Sequence, residues 1–148
     1  MNRMQYFEDL EKGMESYNRE RELHSKKTEE YAKDHSAEEV LQWVGSTAPK
    51  YEPRFSDGKL LEDYKRCLPT DNEEFVVYRG LNAMEAAHLI EGMRRAGMRS
   101  FVFGFCDVNA FNTLDDFCAE GCKLDEPVQF KWMRHGEIMD TTGIRIIL

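Results

Sequence analysis

The chain lacks a long apolar run. In its 148 residues, no stretch approaches the ~18 apolar residues of a membrane-spanning helix, and the opening "MNRMQYFEDLEKG" has no apolar core of a signal peptide. Both absences point to a cytoplasmic protein with no membrane association. Positive charge is also short: 20 Lys and Arg stand against 28 Asp and Glu, a formal net charge of −8. Direct nucleic-acid binding draws on a surplus of cations to neutralise phosphates, so this balance argues against it. The same balance suits the opposite role, an acidic surface that covers the basic groove of a protein partner. Cysteine is scarce, with Cys67, Cys106, Cys118 and Cys122, and in a cytoplasmic protein these read as free thiols. Cys118 and Cys122 stand four apart and His135 follows, but the tight paired spacing of zinc sites is missing, so no metal is expected. Internal repeats and low-complexity tracts are absent too.

The length suits one globular unit with a real core, and the hydrophobic fraction is an ordinary 41%. Residues 1–35 form a charged helical segment. Met4, Phe7, Leu10, Met14 and Tyr17 recur at steps of three and four, the pattern of an amphipathic helix, and opposite charges recur at helical spacing along it, Glu22 with Lys26 and Glu29 with Lys33. Past Arg19 the apolar stripe thins to Leu23 and Tyr31, which describes a solvated helix or one that packs on a partner. Residues 36–148 form the α+β core. Ser36 with Glu39 is a capping box that opens a helix burying Val40, Leu41, Trp43 and Val44 and stopping at Gly45. "STAPKYEPRFSDGK" reads as a loop from its prolines and Asp57-Gly58, and "LLEDYKRCL" as a short helix ended by Pro69.

After residue 72 the texture turns to strands. "FVVYR", residues 75–79, is β-branched and aromatic. Asn82 caps a helix from Ala83 to Ala96, with Glu85 at its third position and Gly97 as its stop. "SFVFGFC", 100–106, is a second strand in which Gly104 marks a bulge or a close backbone approach. "NTLDDFCAEG" is a helix with Asp115 and Asp116 in its first turn. "VQFKWM" is a half-buried strand, "RHGE" a hairpin turn, and "EIMD" and "GIRIIL" are two strands joined by a Thr-Thr-Gly turn. Helices first and a mostly antiparallel sheet after, with one or two inserted helices, define the α+β class.

In this setting the residues Val77, Tyr78, Arg79 and Gly80 resemble the first core strand, "vYRG", of mono-ADP-ribosyltransferases of the arginine–serine–glutamate class. The order of elements over 36–148 is similar as well; only the four-residue tag matches in residue type. The resemblance implies an ADP-ribosyltransferase-like fold with NAD as cofactor, contacted by Tyr78, Arg79 and Gly80. A guanidinium is always charged and grips two phosphate oxygens at once, and a glycine beside it lets a cofactor approach the backbone. The chain departs from the family twice. Where Ser-Thr-Ser would stand it has Phe105, Cys106 and Asp107, and where the glutamates would stand it has Ile144 and Ile146, which cannot stabilise a developing cation. Glu137 and Asp140 are the nearest carboxylates in sequence, so Arg79 and Glu137 are the candidate catalytic residues of a degenerate transferase. The alternative is a non-enzymatic acidic binding protein of the inhibitor, anti-defence or immunity type. For Arg79 the competing role is an ion pair with a surface carboxylate, and for Tyr78 core packing. His88, on the helix after the tag, reads as a partly buried helix residue. His135 with Glu137 offers acid–base chemistry only inside a pocket. A carboxylate beside Cys106 disfavours a thiolate nucleophile.

Overall fold

The computed structural model describes residues 3–50, 54–105 and 107–148. In chain order the elements are α1 (Gln5–Ala32), α2 (Ala37–Thr47), α3 (Phe55–Cys67), β1 (Val76–Val77), α4 (Ala83–Arg95), β2 (Ser100–Gly104), α5 (Ala110–Ala119), β3 (Lys123–Arg134) and β4 (Glu137–Ile147). The class is α+β, with five helices and a four-stranded sheet of order β1-β2-β4-β3. The chain divides into two compact units. One runs from Glu8 to Arg54; the other holds Phe55–Leu148 with the segment that ends at Phe7.

In the first unit charge dominates α1, with Lys26 3.7 Å from Glu22 and Lys33 2.9 Å from Glu30. The Ser36 capping box forms as the sequence predicts, with Ser36 and Glu39 each satisfying the other's backbone amide. Helix α2 does not stop at Gly45. It continues to Thr47, because the residue that must leave the α region is Ala48, which precedes Pro49 and takes φ −57°, ψ 146°. Leu41 is not buried either: it is 74% exposed. The two helices meet instead through a run of parallel rings, His24 on Trp43, Trp43 on Tyr31, and Tyr31 on His35.

The second unit carries the core. Helix α3 starts at Phe55, so the last five residues of the supposed loop, 55–59, are helical, and Asp57 lies in the first turn, where the dipole favours a carboxylate. Asp57 also accepts a bond from Arg95 of α4. The α4 capping box between Asn82 and Glu85 forms as expected, and Gly97 stops the helix in the left-handed region at φ 76°. Phe7 stacks on Tyr64 at 4.2 Å, while Phe101 and Phe103 of β2 meet Phe117 of α5 edge to face.

The sheet is mixed, which corrects the expectation of a mostly antiparallel one. β1 runs parallel to β2, with Val76 opposite Val102. A parallel neighbour needs a long crossover, and the thirteen-residue α4 supplies it. β4 is antiparallel to both β2 and β3. The strand lengths also differ from expectation. β1 has two residues rather than five, so Tyr78 and Arg79 lie just past it. β2 ends at Gly104, with Cys106 outside the described residues. "EIMD" and "GIRIIL" are one strand, because Thr141, Thr142 and Gly143 pair in register with β3 instead of turning. Helix α5 begins at Ala110, which puts Asp115 and Asp116 beyond its first turn. The β3–β4 hairpin turns at His135 and Gly136, with φ 52° and 81°, the two positive values that suit the right-handed twist of paired strands.

Gly104 and Gly143 face each other across β2 and β4. A Cβ on Gly104 would collide with the Tyr78 ring and stand 2.7 Å from Phe130, and one on Gly143 would stand 3.0 Å from Phe130. The glycine pair thus leaves a trough over the two central strands. In it Tyr78, next to β1, meets Phe130 and Trp132 of β3 edge to face, each at 5.6 Å.

Candidate functional site

Arg79 follows the short β1 and turns toward α3. Its Nε donates to both oxygens of Asp63, at 3.1 and 3.0 Å, and its Nη1 lies 4.0 Å from Glu85 of α4. The Asp63 side chain is only 2% exposed and that of Arg79 21%. Burial pushes the Asp63 carboxyl above the usual aspartate range, against the opposing pull of Arg79. The cleft at this corner, lined by Ser56, Lys59, Arg79, Glu85, His88 and Leu89, has a volume of about 30 Å³. That is room for a water, whereas small-molecule sites span roughly 300–1,000 Å³. Gly80 does allow a close approach, and Asp107 makes it: a Cβ there would stand 2.7 Å from Asp107 Oδ2. The approaching group is a carboxylate, which repels a phosphate.

The other predicted residues are dispersed. Tyr78 packs over Gly104 as described. Glu137 is exposed at the start of β4, opposite Arg134 beside the hairpin turn. It stands six positions before Gly143, the first residue of β4 to pair with β2, a path of roughly 20 Å along a strand. No contact joins it to Arg79 among those of the described residues. Ile146 is fully buried, and Ile144 pairs with Phe103. Phe105, 42% exposed, leans on Phe103 and Phe111. His88 is exposed, not partly buried, since it faces out beside the Arg79 cleft. Cys67 and Cys122 are buried free thiols and Cys118 an exposed one. Among the described residues no cluster of His, Cys, Asp and Glu is arranged to hold a metal, and no helix is long and apolar enough to cross a membrane.

A second site was invisible in the sequence. Between the Asp71–Glu74 segment and β3 runs a groove of about 280 Å³. The core residues Val76, Val102 and Phe130 lie beneath it and half-buried Val128 borders it, and Asp71, Glu73, Glu74 and Asp140 outnumber Lys131 and Arg145 around it. Asn72 builds it. Its side-chain amide donates to the Lys131 carbonyl at 2.7 Å and accepts from the Lys131 N–H at 2.7 Å, so it pairs with β3 as a neighbouring strand would. One side chain in the lead-in to β1 thereby reaches the opposite edge of the sheet. At the other end Arg145 lies among three carboxylates. Its Nε donates to both oxygens of Glu74 at 3.0 Å, and its Nη1 meets Asp125 at 3.6 Å and bonds Glu126. These bonds hold its guanidinium pKa above the usual arginine value. Asp125 and Glu126 fall in an irregularity of the β3–β4 register between Leu124 and Pro127, and a bulge of this kind re-aims side chains. Asn72 and Lys131 are 59 positions apart, so no local pattern could have linked them.

Compared with family models, with curated proteins and with solved structures, the chain gives no match.

Proposed function

We propose that the chain is a non-enzymatic acidic binding protein that acts on a protein partner through its surface. The observation that carries this reading is the engagement of Arg79. The guanidinium that a nucleotide phosphate would require is bonded to the buried Asp63. Releasing it would leave an uncompensated buried carboxylate, at a cost of several kcal/mol. In an ADP-ribosyltransferase-like protein of this sequence the chemistry would be lost, since Arg79 and Glu137 stand apart and Ile144 and Ile146 offer no charge.

Two measurements test the proposal. Labelled NAD incubated with wild type and Arg79→Ala is expected to show neither transfer nor binding that depends on Arg79. Proteins retained from a lysate of the encoding organism by the immobilised chain are expected to elute as salt rises from about 50 to 200 mM, because exposed charges are screened over that range. Arg79-dependent transfer of the label would sink the proposal, and so would partner retention that ignores salt.

A further inference from the structure

The groove beside β3 narrows the identity of the partner, on the assumption that the acidic-binding reading holds. We propose that it receives a lysine or arginine side chain from a basic segment of the partner protein. Its volume of about 280 Å³ lies just below the ~300–1,000 Å³ of small-molecule sites and fits a long side chain better than a nucleotide. Half-buried Val128 offers apolar contact to a methylene stem, and Glu73 and Asp140 offer acceptors to its cationic head. The resident cations do not use up this charge. Arg145 is held by Glu74, Asp125 and Glu126, and Lys131 lies 3.7 Å from Asp71. Glu73 and Asp140 are exposed and remain for an incoming cation. The walls are set beforehand by the Asn72 bonds to the Lys131 backbone and by the Glu74–Arg145 pair, so little ordering is left to binding.

The test uses the full chain and a fluorescent penta-lysine peptide at about 50 mM salt, where exposed charge pairs are least screened. A peptide with every lysine acetylated keeps the stems and loses the charge. The paired variant Glu73→Lys/Asp140→Lys is compared with Glu15→Lys/Glu29→Lys on α1, which changes the net charge by the same amount. Both pairs are exposed, and thermal melts check that the variants stay folded. The expected result is binding by wild type, loss of about tenfold or more in affinity for the groove pair, about threefold or less for the α1 pair, and no binding of the acetylated peptide. Equal weakening by the two pairs would overturn the groove assignment while leaving the acidic-surface reading in place. No binding of penta-lysine to wild type would overturn both. Displacement of the peptide by an equal concentration of spermidine would overturn the protein source of the cation in favour of a free polyamine.

Discussion

Arg79 is a case in which one residue's environment decides its role. The sequence presents a guanidinium at the end of a strand beside a glycine, a pattern open to a phosphate or to a carboxylate. The structure supplies Asp63, sixteen positions earlier and on the buried side of α3. Removing the arginine leaves that carboxylate buried without a partner, so Arg79→Ala is expected to destabilise the fold by about 3 kcal/mol at neutral pH. The sign with pH follows from the raised pKa. Asp63 already holds a proton more tightly in the fold than an ordinary aspartate does, and losing Arg79 raises its pKa further. The variant's deficit should therefore shrink as pH falls and Asp63 is neutralised. Urea titrations at two pH values check this, and adding Asp63→Asn should recover part of the loss. Cys67 also has its chemistry set by burial. Its thiol donates to the Val76 carbonyl at 3.2 Å and accepts the Val76 N–H at 3.3 Å, and burial pushes its pKa up to about 11. At pH 8 an alkylating reagent should modify the exposed Cys118 and spare Cys67 until the chain is denatured, as peptide mapping would show.

Among elements, helix ends were the most legible. Ser36 with Glu39, and Asn82 with Glu85, act within one turn, so the residues that predict each cap are the residues that make it. The His135-Gly136 turn was legible for the same reason. Strand extents were not. Residues 75–79 have strand composition throughout, yet pairing with β2 covers only Val76 and Val77, because a strand's length depends on what its neighbour offers. Residues 141–143 read as a turn, but β3 supplies partners that keep them extended. Gly104 was legible as a close approach without the approaching group, which is the Tyr78 ring. Gly104→Ala would push a methyl into Tyr78 and Phe130 and is expected to cost about 1–3 kcal/mol. Denaturant midpoints measure it; an unchanged midpoint would mean that the rings do not close over the glycine pair.

For the whole molecule, the sequence by itself determined the sums and the local signals: a charge of −8, free thiols at Cys67, Cys118 and Cys122, the α+β class, the helix caps and the hairpin turn. Net charge is additive, and a cap closes within a few residues, so neither needs the fold. Only the tertiary structure decided the mixed sheet, the partner of Arg79 and the groove. Parallel pairing of β1 with β2 depends on how α4 crosses over. The groove depends on Asn72 reaching Lys131 and on Glu74 reaching Arg145, 59 and 71 positions away. Contacts across such separations leave no periodic trace in a single chain. The carboxylates that gather beside β3 read along the sequence as scattered surface charge, and they line one groove only once the sheet brings its two edges within reach of one asparagine.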